Sequence, residues 1–265
     1  MYIEKRRVIK WIALGLAVIV IILGAIFILL DILDIAEYYR LHWSIAILNT
    51  IFISVIAVIT GFYASKNYLK SGSREMLALG SGVLAFGFSI LIYGWFTFTD
   101  LNTRITAYDF GVLLASVIYL VGAVSSVTKQ TFTIVSRRTG VIVAYIVVLL
   151  VISGITWLAY RDVITFLLLQ FSEHISARDV VQGIAAFCCI CSALIYLGKY
   201  HSSRIDMYYW YSLGLVLFAA GVLFISRGHL ESRVAWLGRF SQYIGGVFLL
   251  TAALSVNLRS GENDI

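Results

Sequence analysis

The stretch W-L-G-R-F-S-Q-Y-I-G-G-V-F-L-L-T-A-A-L-S-V-N, running from Trp236 to Asn257, decides how the chain reads. It is long enough to cross a bilayer as a helix, since about 20 apolar residues suffice. Yet it carries Arg239 and Gln242 near its start. Three residues apart, they share one helix face. Gly238, Ser241 and Gly245 make a small-residue stripe beside them, where a second helix can approach closely. An Arg and a Gln inside a packed membrane helix mark a candidate functional site, because polar groups in lipid need partners.

The rest of the chain agrees with a membrane setting. Of 265 residues, 61% are hydrophobic and only 13% are charged, against about 25% charged in soluble domains. The charges fall in short clusters between apolar runs, which is the transmembrane pattern. A net charge of +6 then reads as basic loops rather than a nucleic-acid surface. The absence of proline argues against helices broken at proline kinks.

Eight spans are expected, at about 8–30, 43–65, 77–98, 106–128, 140–160, 179–200, 207–226 and 236–257. The first follows Glu4-Lys5-Arg6-Arg7 and is longer than the 7–15 residues of a signal-peptide core, so it reads as a retained helix. Alternate loops hold 13 and 7 of the 20 Lys and Arg. The positive-inside rule places the richer side, and with it both termini, in the cytoplasm. The expected fold is an all-α polytopic membrane helix bundle in the cell membrane. Residues 1–258 form one domain and 259–265 a short tail. Interfacial aromatics such as Trp43, Trp95, Trp157 and Trp236 fit the same frame. The 161–178 connection is apolar but too short to span, and reads as an interfacial or folded-back cover over the helix ends.

Five polar residues lie at similar depth in the outer half of the expected bundle: Asn49, Asp109, Gln182, Arg239 and Gln242. They are the candidate ligand-binding residues, lining an outward pocket. The competing reading is interhelical hydrogen-bond glue, with Arg239 reaching to headgroups. Cys188, Cys189 and Cys191 sit within an apolar run, where thiols behave as small hydrophobes. His42, His174, His201 and His229 lie at helix ends or in loops, which does not suit haem ligation. No span carries a central Lys for a Schiff base, and no phosphate-binding glycine loop or zinc-protease motif is present. No catalytic residue, metal site or cofactor is assigned.

The order M-Y-Y-W-Y-S-L-G-L (207–215), then R-V-A-W-L-G-R-F-S-Q-Y-I-G-G-V-F-L-L-T-A-A-L (233–254), resembles the multi-helix membrane-associated sensor domains at the N-termini of archaeal and bacterial sensory histidine kinases and diguanylate cyclases. Looser pieces are L-H-W-S near the second span and F-G-V-L-L-A-S-V-I-Y-L-V-G-A in the fourth. The resemblance implies a non-catalytic input module that perceives an external or membrane-borne signal. In that family an output domain would follow Ser260, where this sequence departs, so the resemblance implies either a sensor acting through a separate cytoplasmic signalling partner or a lone relative with another role. The expected partners are thus the bilayer, a small ligand and that protein, with homo-oligomers allowed and nucleic acid excluded. Two other readings stay open: a small-solute transporter, and an intramembrane thiol enzyme using the cysteine cluster.

Overall fold

The computed structural model describes residues 42–96, 101–128, 136–164, 176–227 and 232–260, with five positions between 15 and 25. The expected first span, the core of the 161–178 connection, His174, His229 and the last five residues lie largely or wholly outside this set.

Among the described residues every regular element is helical. The chain runs through α1 (His42–Asn49), a π-helical segment π1 (Thr50–Val55), α2 (Ile56–Ser71), α3 (Arg74–Trp95), α4 (Leu101–Val127), α5 (Arg137–Tyr160), α6 (Ala177–Ser203), α7 (Asp206–Arg227) and α8 (Arg233–Ser260). Among the described residues, six helices are long and apolar enough to cross a membrane: Ile45–Ser71, α3, α4, α5, α6 and α7. They correspond to the second to seventh expected spans. The expected eighth lies within α8, whose first half carries Arg239, Ser241 and Gln242; among the described residues it is not one of the six.

The chain has no proline, yet α1 and α2 are not one regular helix. Their axis passes through π1 beside Asn49. The Thr50 hydroxyl donates to the Ala46 carbonyl at 2.7 Å and accepts from Trp95 Nε1 at 2.9 Å. A side chain that binds the i−4 carbonyl loosens the ladder there, and π segments favour functional positions.

Helix ends follow local chemistry. Gly72 closes α2 in the left-handed region at φ 72°, a conformation glycine adopts without penalty. Arg137 donates to the Leu69 and Lys70 carbonyls at 3.1 and 2.9 Å, satisfying the end of α2 from α5. Ser176 and Asp179 form a reciprocal capping box at the start of α6.

By their most extensive contacts, α2, α3, α4, α6, α7 and α8 follow one another around a closed ring, and α5 packs outside it against α3 and α4. The α7–α8 pair is the closest, and its glycines explain why. A Cβ on Gly238 would stand 2.7 Å from the Gly221 carbonyl oxygen, and one on Gly221 would stand 2.7 Å from that of Gly238. Ser241 Oγ donates to the Leu217 carbonyl at 2.7 Å along the same seam. The small-residue stripe of α8 therefore meets α7. The ring's middle is aromatic: Phe86 of α3 meets Phe218 of α7 edge-on at 4.4 Å.

Candidate functional site

Asn49, Asp109, Gln182, Arg239 and Gln242 come from four helices, α1, α4, α6 and α8, and the fold buries all five at one end of the bundle. That end holds the starts of α4, α6 and α8 and the end of α3. We call it the Asp109 end.

The five do not form one open pocket. Asn49, Arg239 and Gln242 line a cavity of about 10 Å³ with Ile90, Tyr93, Tyr108, Arg178 and Ile225. This is about the space one water molecule needs. Asp109 and Gln182 stand aside from it as a pair: Gln182 Nε2 donates to Asp109 Oδ1, and Arg178 Nε lies 3.3 Å from Asp109 Oδ2. Arg178 thus joins the pair to the cavity. A fully buried carboxylate needs such partners, since desolvating a lone charge is expensive.

On the cavity side, Gln242 Nε2 donates to the Tyr108 hydroxyl at 2.8 Å, and the Tyr243 hydroxyl donates to Asn49 Oδ1 at 2.8 Å. Arg239 Nη2 lies 3.4 Å from the Tyr93 hydroxyl, and its guanidinium sits 4.9 Å from the Trp236 ring centroid. Arg104 sits 5.0 Å from the Tyr93 centroid. Aromatic faces stabilise these cations where water is scarce. Among the described residues, Gln242 Oε1 and Gln182 Oε1 are buried acceptors with no hydrogen-bond partner. Gln242 also reaches a second, apolar cavity of about 20 Å³ bordered by Phe86, Phe218 and Leu249.

Sequence reading missed Arg178, Tyr93 and Tyr108. Arg178 looked like a loop charge, although it lies four residues before Gln182 and so on the same face of α6. Nothing in the spacing of Tyr93 and Tyr108 marks them as hydrogen-bond partners.

Polar groups gather at the other end of the bundle as well. At the opposite, Glu75 end, Lys199 Nζ pairs with Glu75 Oε1 at 2.9 Å and donates to the Ser126 carbonyl at 3.2 Å. The Tyr208 hydroxyl also donates to Glu75 Oε1, at 3.2 Å. From there an aromatic column runs inward. Tyr208 stacks with Tyr196 at 6.0 Å, Tyr196 with Tyr211 at 4.3 Å, and Tyr211 meets Tyr119 edge-on at 6.0 Å. Tyr119 then meets Phe218 at 6.2 Å. Polar groups gather at both ends, and the middle is closed by Phe86 and Phe218. Cys188 and Cys189 are buried on α6 and Cys191 is half-buried, all as free thiols.

The fold and this site define a multi-pass membrane-type helix bundle with a buried polar cluster at one end and a partly exposed one at the other. Comparison with protein-family models, with curated proteins and with solved structures found no match.

Proposed function

We propose that the chain is a non-catalytic membrane sensor whose Asp109 end responds to a small ligand or to the bilayer, and whose helix α8 carries the response to a cytoplasmic partner. In this reading the chain has eight spans, both termini are cytoplasmic, and the Asp109 end faces outward, as the 13-to-7 division of Lys and Arg favours. The resemblance to sensor domains supports the same direction of signalling.

One observation carries the reading: α8 touches both ends of the bundle as one element. Its 28 residues are about 42 Å long at 1.5 Å per residue. Near its start Arg239, Gln242 and Tyr243 hold Tyr93, Tyr108 and Asn49. Near its end the Ala253 carbonyl accepts from Asn67 Nδ2 at 2.7 Å. The cavity has room for about one water, so a larger ligand enters only by parting these contacts, and parting them moves α8. A ligand shifts the helix only by binding one arrangement better than the other.

Hydrogen exchange of the full chain in nanodiscs tests this. Arg239→Ala, compared with wild type, is expected to change protection locally and also around 250–258, near Asn67. Changes confined to 232–245 would sink the relay.

A transporter is the second reading, favoured by the polar clusters at both ends. Solute flux in proteoliposomes above that of protein-free vesicles supports it and displaces the sensor.

A further inference from the structure

The cavity of about 10 Å³ at the Asp109 end is lined mainly by polar side chains: Asn49, Tyr93, Tyr108, Arg178, Arg239 and Gln242. Three of these leave hydrogen-bonding capacity unused. The Tyr93 hydroxyl accepts from Arg239 Nη2 at 3.4 Å, and the Tyr108 hydroxyl accepts from Gln242 Nε2 at 2.8 Å. A hydroxyl that accepts still has its own proton to give. Neither proton meets an acceptor among the described residues. Gln242 Oε1 is the converse, a buried acceptor that meets no donor there. Tyr93, Tyr108 and Gln242 are only 6%, 3% and 1% exposed, so bulk solvent does not satisfy them. Buried polar groups left in this state are rare and costly.

We propose that this cavity binds one water molecule, which accepts from the Tyr93 and Tyr108 hydroxyls and donates to Gln242 Oε1. Size agrees, because a cavity of about 10 Å³ gives the space one water needs. The number of bonds agrees as well, since a buried water typically makes about three. The three partners lie together: the Tyr93 and Tyr108 ring centroids are 5.6 Å apart, and Gln242 already bonds Tyr108. Other small occupants fail on the bond pattern. A chloride could accept from both hydroxyls but has no proton for Gln242 Oε1. A metal cation or an ammonium has no lone pair for either hydroxyl proton, and it would stand beside the Arg178 guanidinium. Turning the Gln242 amide over does not remove the need, because Nε2 would then be the group without a partner.

Such a water ties three helices together, since Tyr93 lies near the end of α3, Tyr108 early in α4 and Gln242 on α8. A ligand that enters displaces it and takes over its bonds. The neighbouring cavity of about 20 Å³ is the contrast within the same bundle. It is larger, yet its walls are mainly apolar, among them Ile53, Val83, Phe86, Phe218 and Leu249. The hydroxyl of its Thr60 is already given to the Ile56 carbonyl at 2.7 Å. Gln242 borders this cavity too, but a water there would lack the further partners it needs, and apolar cavities stay dry. Polarity, not volume, therefore decides which of the two holds water. The assignment stands whether the bundle senses or transports.

X-ray radiolysis of the full chain in nanodiscs tests this. The pulse turns water into hydroxyl radicals where it sits, so a bound water oxidises the side chains beside it. Mass spectrometry of the digested protein reads that oxidation. Tyr93 and Tyr108 are expected to oxidise several-fold faster than Tyr243, which is fully buried but gives its hydroxyl directly to Asn49. Phe86 and Phe218, beside the apolar cavity, should stay at the Tyr243 rate. Gln242→Met, similar in length but without the acceptor, should bring Tyr93 and Tyr108 down to that rate. Tyr93 and Tyr108 oxidising no faster than Tyr243 in wild type would overturn the water site. Equally fast oxidation at Phe86 and Phe218 would overturn it too, since the interior would then be wet throughout. An unchanged rate in Gln242→Met would remove Gln242 as a partner, and with it the three-bond assignment. The wild-type comparison needs no variant, so it decides the matter even where Gln242→Met fails to fold.

Discussion

Gly238→Ala is the sharpest test of the seam that fixes α8. The added Cβ would lie 2.7 Å from the Gly221 carbonyl oxygen, 2.7 Å from Ile225 Cγ1 and 3.0 Å from Ile225 N. Two of these neighbours are backbone atoms and cannot swing aside, so α7 and α8 must separate by several tenths of an ångström. Overpacking of this kind costs about 1–3 kcal/mol, and rigid neighbours place Gly238 near 3. Alanine also gains about 1 kcal/mol over glycine in helix propensity, leaving a net loss of about 2 kcal/mol. Gly154→Ala is the control, because nothing lies within 4 Å of its added Cβ. It should gain about 1 kcal/mol from propensity alone. Both variants change the same atoms, so their difference, about 3 kcal/mol, isolates the contact. A thiol-reactive fluorophore reads it without new labels, since Cys189 is fully buried and reacts only when the bundle opens. Unfolding is followed in detergent after the half-buried Cys191 has been blocked. If Gly238→Ala matched Gly154→Ala, the helices would not approach as described, and the rigid α7–α8 pair behind the proposed relay would fall.

Three further outcomes are expected. Asp109→Ala should destabilise the bundle by about 2–3 kcal/mol in the same assay, below the full range for a broken buried pair because Arg178 keeps some exposure; Asp109→Asn, which can still accept from Gln182, should lose less. A double-mutant cycle of Glu75→Gln and Lys199→Met should give a coupling of about 1 kcal/mol or less, because both side chains are partly exposed; a coupling several times larger would mean that this pair is shielded from water. Phe218→Ala should cost about 3–5 kcal/mol of stability yet leave proteoliposomes without solute flux under the sensor reading. A flux appearing in that variant would identify Phe86 and Phe218 as a gate.

Much of this bundle is legible in the sequence because lipid leaves few options. Backbone groups must be paired internally, so long apolar runs become helices. The depth of Asn49, Asp109, Gln182, Arg239 and Gln242 could be counted from the helix rise, and all five are buried at one end. Depth is not direction, however. Whether Gln182 faces the cavity or Asp109 depends on helix rotation, which packing sets. Arg178 was obscured by its place at a helix start, where a charge usually reads as solvated. The π segment left no proline to announce it. The Glu75 end went unseen because Lys199 and Glu75 each look like boundary charges, and only the ring order of α3 and α6 around α4 brings them together.

Under the sensor reading, the closed state of the Asp109 cluster would bound what a signal must do. Opening the cavity breaks at least the Gln242–Tyr108 and Tyr243–Asn49 bonds, each contributing about 1 kcal/mol net. Separating Arg239 from Trp236 removes a cation–π contact of about 0.5–2 kcal/mol. The open arrangement then lies a few kcal/mol above the closed one, the range in which a minor state is populated at about 0.1–10%. A ligand that supplies acceptors to Arg239 and Arg178 and a donor to Gln242 Oε1 can offset that gap, because Gln242 Oε1 has no hydrogen-bond partner among the described residues. A purely apolar ligand offers none of these and leaves the broken bonds uncompensated. Under the sensor reading the cluster would therefore favour polar, hydrogen-bonding ligands, and Gln242→Leu, which removes both the Tyr108 bond and the unused acceptor, should lower the cost of opening and weaken that preference.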